Sequence, residues 1–81
     1  MPVKVFALST CPYCRMARQY MDENAVSYDV VEVDKLDGQE RADAIDEVKK
    51  LSGGTSFPVI VVDGEVIVGF NKVRIKELLS L

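Results

Sequence analysis

Two cysteines, Cys11 and Cys14, are the residues of this chain best suited to covalent chemistry, and only Pro12 and Tyr13 separate them. Residues three apart on a helix lie on the same face, and their Cα atoms, about 5–6 Å apart, fall within the range that a disulfide tolerates. The nucleophile in disulfide exchange is the thiolate itself, so the reaction needs no general base. This chemistry suits a sequence that contains no histidine.

The position of the pair along the chain predicts different roles for the two thiols. Pro12 is typical of the first turn of a helix, which places Cys11 at the helix N-terminus. Free N–H groups and the helix dipole stabilise an anion there. Cys14, one turn deeper, should be more buried and less ionised. We therefore expect Cys11 to attack a disulfide and Cys14 to resolve the mixed disulfide that results.

The sequence leaves three other uses of the cysteine pair open. A structural disulfide would close a loop too short to gain much stability. A zinc site would need two more ligands, and the chain has no further Cys or His. A dimeric iron–sulfur carrier would need thiols from outside the chain. A Cys-x-x-Cys pair beside a β-α-β pattern favours redox chemistry over these uses, and we assign no metal ligands.

Composition narrows the class of protein further. The 81 residues suffice for one domain, residues 1–81, and 48% hydrophobic with 28% charged residues is typical of a globular chain. A net charge of −3 with scattered Lys and Arg argues against nucleic-acid binding. No apolar run approaches the roughly 20 residues that span a bilayer. Met1-Pro2-Val3-Lys4 leads directly into a strand-like segment, without the apolar stretch of a signal peptide. We expect a soluble, cytoplasmic monomer that binds neither nucleic acid nor membrane.

Hydrophobic patterns predict seven elements in the order β-α-β-α-β-β-α. Apolar and β-branched runs predict four strands, at Val3–Leu8, Tyr28–Val33, Val59–Val62 and Glu65–Val68. Asp63-Gly64, between the last two strands, is typical of a two-residue hairpin turn. A parallel β-α-β unit followed by a hairpin predicts an α/β protein with one mixed four-stranded sheet flanked by three helices.

The three helices have recognisable ends. The first covers residues 12–23, and Asn24 is expected to stop it in the left-handed conformation. Asp37 and Glu40 are expected to cap the start of the second, which ends at Gly53-Gly54. The third begins near Asn71 and is expected to bury its apolar residues, Ile75, Leu78 and Leu79.

The Cys11-Pro12-Tyr13-Cys14 motif resembles, letter for letter, the dithiol motif of the glutaredoxins, within the thioredoxin-fold superfamily. The Gly-x-x-Thr-Val-Pro pattern of that family corresponds to residues 53–58, and its glycine-bearing turn before the last helix corresponds to residues 69–71. The match runs over nearly the whole chain in the same element order. The resemblance implies a thioredoxin-like fold and the activity of a dithiol–disulfide oxidoreductase.

The resemblance also implies roles for residues outside the dithiol. Pro58 would be a cis proline facing the thiols, and the backbone of Phe57 would pair with an extended substrate. Pro12 and Tyr13 would lie against the docked substrate. The Gly69-Phe70 turn would contact a partner, although both phenylalanines also suit the protein core.

The sequence leaves the identity of the electron donor open. Glutathione-binding members carry a Lys just before the dithiol, a Gln or Arg before the cis proline, and an acidic residue opening the last helix. Other residues occupy these positions here, namely Ser9 and Thr10, Gly54 and Thr55, and Lys72. The Gly69-Phe70 pair instead resembles glutaredoxin-like proteins that reduce ribonucleotide reductase and are recharged by thioredoxin reductase. We expect a disulfide-containing protein as substrate, no tightly bound cofactor, and glutathione, another thiol or a flavoprotein reductase as reductant.

Overall fold

The computed structural model describes residues 3–80, and its elements follow the predicted order. The four strands are β1 (Val3–Ala7), β2 (Asp29–Glu32), β3 (Val59–Val62) and β4 (Glu65–Val68). The three helices are α1 (Pro12–Glu23), α2 (Gly38–Ser52) and α3 (Lys72–Leu79), and a 3-10 turn, Val33–Lys35, follows β2. Met1 and Pro2, on which the expectation about a signal peptide partly rests, lie outside the described residues. Within residues 3–80, every helix is too short or too polar to cross a bilayer.

The sheet has the strand order β2-β1-β3-β4, which leaves β1 in the interior. β1 pairs in parallel with β2 and antiparallel with β3, and β3 forms a hairpin with β4. Asp63 and Gly64 have φ angles of 48° and 87°, the positive values that a tight hairpin turn requires. The predicted mixed sheet and its hairpin are confirmed.

Each face of the sheet carries its own layer of helices. On one face, Val5 of β1 packs in a cluster with Met21 of α1 and Ile75 of α3. On the other face, Phe6 packs in a second cluster with Val48 of α2. Because neighbouring side chains of a strand point to opposite faces, β1 is buried on both sides and forms a rigid base for the loop that follows it.

Two of the predicted caps are wrong. Asp37 is the residue before α2, but its side chain makes no capping hydrogen bond. The next residue, Gly38, has a φ of 55°, which turns the backbone away from the regular helix start that a reciprocal Asp37–Glu40 pair needs. At the end of α1, Asn24 has a φ of −98°, and the left-handed residue is Ala25 with a φ of 56°.

The end of α1 forms a Schellman motif centred on Ala25. The N–H of Val26 donates to the Met21 carbonyl at 2.9 Å, and the N–H of Ala25 donates to the Asp22 carbonyl at 3.1 Å. The Asn24 side chain is used differently, since its amide donates to the Tyr20 carbonyl at 2.8 Å. The left-handed position therefore falls one residue later than predicted, on a residue with a Cβ atom.

The remaining differences from the predictions are small. β1 ends at Ala7 and not at Leu8, and β2 covers residues 29–32 and not residues 28–33. Ile75 is fully buried, whereas Leu78 and Leu79 are only partly buried at the end of α3. Gly53 ends α2, as predicted, and adopts the left-handed conformation there.

Replacing Ala25 with glycine should stabilise the protein. The left-handed conformation costs a residue with a Cβ atom about 1–2 kcal/mol, whereas glycine adopts it freely but loses more entropy on folding. We expect a net gain of about 0.5–1 kcal/mol in the free energy of unfolding, measured by urea denaturation. The same change at Ala42, which is exposed in the body of α2, should cost about 0.5–1 kcal/mol. Equal losses of unfolding free energy in the two variants would contradict the interpretation that Ala25 is strained by its left-handed conformation.

Candidate active site

The two cysteines lie where β1 leads into α1, and the sulfur of Cys11 itself caps the helix. Cys11 is the N-cap residue, with extended backbone angles of −84° and 119°, and Pro12 begins the helix. The backbone N–H of Cys14 donates to Cys11 Sγ at 3.4 Å. A side-chain oxygen usually accepts this bond in other helices. The Cys11 sulfur therefore lies at the N-terminus of α1, where the sequence predicts it.

The two thiols differ in burial and in acidity. Partial burial raises the pKa of Cys11, but hydrogen bonds from the Cys14 side chain and from the Cys14 and Tyr13 backbones outweigh it, so the pKa falls below its ordinary value. Cys14 is 1% exposed, and burial raises its pKa to about 12. Both are free thiols. The outer sulfur is thus the better nucleophile at neutral pH, and the inner one is held as a thiol.

A carboxylate that the sequence analysis missed holds the loop before Cys11. The backbone N–H of Ser9 donates to Asp34 Oδ1 at 2.9 Å, and the Ser9 hydroxyl donates to Asp34 Oδ2. Asp34 lies in the 3-10 turn directly after β2. Because β1 and β2 run in parallel, their carboxyl ends meet at one edge of the sheet. Ser9 and Asp34 both follow such strand ends, and this shared placement was the signal that could have revealed the contact.

The segment around Pro58 joins the site from β3. The Phe57–Pro58 bond is cis, as the resemblance implied, and Pro58 is buried. The Pro58 carbonyl accepts a hydrogen bond from the N–H of Gly69 at 2.7 Å, which ties the turn before α3 to the cis proline. Gly69 has a φ of 80°, a conformation that favours glycine.

Three of the predicted site residues pack around one buried cluster. Cys11, Phe57 and Phe70 are partly buried and pack against the core cluster that contains Cys14. Tyr13, which lies between the two cysteines in the chain, is 62% exposed. Both phenylalanines therefore contribute to the core and are still partly exposed.

A pocket of about 300 Å³ lies along α1 on another side of Cys14. Its lining includes Ser9, Cys14, Arg15 and Arg18. The Arg18 guanidinium lies 3.8 Å from the Glu32 carboxylate, whereas Arg15 is exposed. Asp22 and Glu23 also line the pocket, so its two arginines are matched by two carboxylates, and it adds no net positive charge near the dithiol.

Comparison with known proteins agrees with this geometry. The glutaredoxin family model matches residues 3–67. A glutaredoxin-like 8.6 kDa protein from the rubredoxin operon of Clostridium pasteurianum is 34% identical over 78 residues, which cover 96% of this chain and 97% of that protein. The crystal structure of a glutaredoxin from Archaeoglobus fulgidus is similar with a TM-score of 0.91 and 36% identity, covering 95% of this chain and 84% of the other.

A second solved structure, the methanoredoxin of Methanosarcina acetivorans, is similar with a TM-score of 0.93 and 31% identity. The match covers 99% of this chain and 85% of that one. Both structures share the sheet and helix arrangement described above, and the thioredoxin-like fold implied by the sequence is confirmed.

The Ser9–Asp34 contact predicts a specific dependence of stability on pH. The hydrogen bonds from Ser9 lower the pKa of Asp34 in the folded protein, below the value of about 3.9 expected in the unfolded chain. The carboxylate therefore stabilises the fold above the unfolded pKa, and this contribution disappears as the pH falls through the folded pKa. Asp34→Asn should lower the free energy of unfolding at neutral pH, and its deficit should shrink below about pH 4.

Urea denaturation of both proteins over this pH range measures the effect. Asp37→Asn is the matched control, because the Asp37 side chain makes no capping hydrogen bond. It should follow the wild type at every pH. A deficit for Asp34→Asn that stays constant down to the acid limit would argue against the contact.

Proposed function

The chain belongs to the glutaredoxin family, and we propose that it reduces disulfides of partner proteins by a two-step exchange at Cys11 and Cys14. Glutaredoxins are thiol–disulfide oxidoreductases, so the family and the site indicate the same chemistry. The observation that carries the proposal is the unequal pair of thiols: one partly exposed with a lowered pKa, the other buried one turn deeper with a raised pKa.

In the first step, the Cys11 thiolate attacks one sulfur of the substrate disulfide. The substrate S–S bond breaks, a mixed disulfide forms on Cys11, and the departing thiolate takes a proton from solvent. The Cys14 backbone nitrogen, 3.4 Å from Cys11 Sγ, donates a hydrogen bond that favours the ionised form of this sulfur. This hydrogen bond and the helix N-terminus supply the activation that a neighbouring base supplies in other cysteine enzymes.

In the second step, Cys14 attacks the Cys11 sulfur of the mixed disulfide and releases the reduced partner. Burial is the largest influence that raises the pKa of Cys14, and the hydrogen bond with Cys11 and the charge of Cys11 raise it further. The two influences of Cys11 disappear once Cys11 has formed the mixed disulfide. Cys14 therefore becomes easier to deprotonate when its attack is needed, and the products are an intramolecular disulfide and a substrate reduced by two electrons.

The substrate would lie across the face formed by Tyr13, the Phe57–Pro58 segment and the Gly69-Phe70 turn. An extended segment of the partner could pair with the backbone of Phe57, which precedes the cis proline. Tyr13, exposed beside the thiols, offers an aromatic surface for packing. These positions favour a flexible, extended disulfide-bearing segment as substrate.

A flavoprotein disulfide reductase is the electron donor that the site favours, although glutaredoxins in general use glutathione. Ser9, one of the two residues just before the dithiol, is engaged with Asp34 through its backbone N–H and its hydroxyl. Lys72 opens α3 with a positive charge, where glutathione-binding members carry an acid. Both features remove contacts that would hold the charged ends of glutathione.

Variants of the two cysteines test the reaction. The pre-reduced wild type should reduce one peptide disulfide per molecule, and Cys11→Ser should fall to the background rate. Cys14→Ser should complete only the first step and accumulate a mixed disulfide on Cys11, visible by mass spectrometry of non-reduced protein. An adduct on Cys14 in the Cys11→Ser variant, with activity retained, would overturn the assigned roles.

The same assay with catalytic amounts of protein tests the electron donor. Turnover should be faster with thioredoxin reductase and NADPH than with glutathione alone. Efficient turnover with glutathione alone would refute the proposed donor. A brown dimer with visible absorption after anaerobic purification, inactive in disulfide reduction, would instead favour an iron–sulfur carrier.

A further inference from the structure

Two aromatic rings form a shelf on the core cluster that contains Cys14. The rings of Tyr20 in α1 and Phe70 before α3 meet edge to face, with centroids 6.2 Å apart and planes at 65°. Both side chains are partly buried and pack on the core cluster that contains Cys14. We call this pair the aromatic shelf.

The aromatic shelf is linked to the dithiol motif through α1 and to Pro58 through Gly69. Tyr13, Met16 and Tyr20 are spaced at i, i+3 and i+7 along α1, so they share a helix face, and the first two are 62% and 47% exposed. Phe70 follows Gly69, whose N–H is bonded to the Pro58 carbonyl. An apolar surface thus extends along α1 from Tyr13, which lies between the two cysteines, to Tyr20 of the shelf, over roughly 10 Å, the rise of seven helical residues.

Lys72 places a positive charge on this shelf. Its ammonium nitrogen lies 5.1 Å from the centroid of the Tyr20 ring, within the range of a cation–π interaction. Within the described part of the chain, no carboxylate forms an ion pair with it. By contrast, Lys35 and Lys50 each pair with a carboxylate one turn away. The Lys72 charge is therefore held at the aromatic surface but not neutralised.

The charge around the aromatic shelf differs from that of the whole chain. The chain has a net charge of −3. In α3, however, three cations (Lys72, Arg74 and Lys76) stand against Glu77 alone, and that glutamate is paired with Arg74. Charges of opposite sign across an interface steer association and select partners. The surface next to the shelf is complementary to an acidic partner.

We propose that Lys72 and the aromatic shelf bind an acidic side chain of the substrate. This inference rests on the proposed function and specifies its substrate class: disulfides in extended protein segments with Asp or Glu close to the reacting cysteine. Extended chain advances about 3.3 Å per residue, so the roughly 10 Å between Tyr13, in the dithiol motif, and Tyr20 of the shelf corresponds to about three residues. The segment between them would lie on Tyr13 and Met16.

Three peptides that differ only in charge test the proposal. Each carries one cysteine in a disulfide with 2-mercaptoethanol and has Glu, Gln or Lys three residues to either side. The pre-reduced protein is mixed with each peptide in a single-turnover stopped-flow experiment at neutral pH and low ionic strength. The wild type should reduce the Glu peptide about three- to fivefold faster than the Lys peptide, as expected for exposed charge pairs. High salt should remove most of this difference.

Two charge-reversed variants locate the effect. Lys72→Glu should reverse the order of the Glu and Lys peptides. Lys49→Glu makes the same change of net charge in α2, which packs on the opposite face of the sheet, and should preserve the wild-type order. Both positions are exposed, and circular dichroism verifies that the variants are folded.

The possible failures are distinguishable. If the wild type reduces none of the three peptides, the proposed oxidoreductase function fails. If it reduces all three at equal rates, or if Lys49→Glu shifts the preference as much as Lys72→Glu, the acidic-substrate subsite is wrong and the oxidoreductase function stands.

Discussion

The hydrogen bond from the Cys14 backbone N–H to the Cys11 sulfur is the interaction on which the rest of this structure depends. It uses one of the free donors of a helix start to hold a reactive sulfur instead of the usual capping oxygen. The same three-residue spacing places the second thiol one turn deeper, in the core cluster whose burial raises its pKa. The hydrogen bond to Cys11 and the burial of Cys14 together make the two sulfurs unequal.

The fold keeps this helical turn in place from three sides. β1 is buried on both faces of the sheet, so the loop that leaves it starts from a rigid base. Asp34, at the end of the neighbouring parallel strand, holds the loop through Ser9. Phe57, next to the cis Pro58 that is tied to Gly69, packs on the same core cluster as Cys11. Each support comes from a different part of the chain, so the position of residues 11–14 depends on the whole sheet.

Local features of the site were predictable from the sequence because they depend on neighbours in the chain. Pro12 marks the start of the helix, the cysteine spacing sets the turn, and Asp63-Gly64 specifies the hairpin. The Ser9–Asp34 contact joins residues 25 positions apart and becomes visible only when β1 and β2 are known to be parallel neighbours. The predictions of the two helix caps were wrong for a different reason. Backbone conformation at Gly38 and Ala25 overrode the preferences of the adjacent Asp37 and Asn24, although helix ends were found within about a residue.

The pH dependence of Cys11 alkylation is the most direct test of the central interaction. Reduced protein is treated with iodoacetamide at a series of pH values, and the modified cysteine is located by peptide mapping, in native buffer and again in urea. Native Cys11 should react with a midpoint pH below that of the unfolded chain, while native Cys14 stays unmodified. A midpoint pH of native Cys11 equal to or above that of the unfolded chain would contradict the stabilisation of its thiolate by this hydrogen bond.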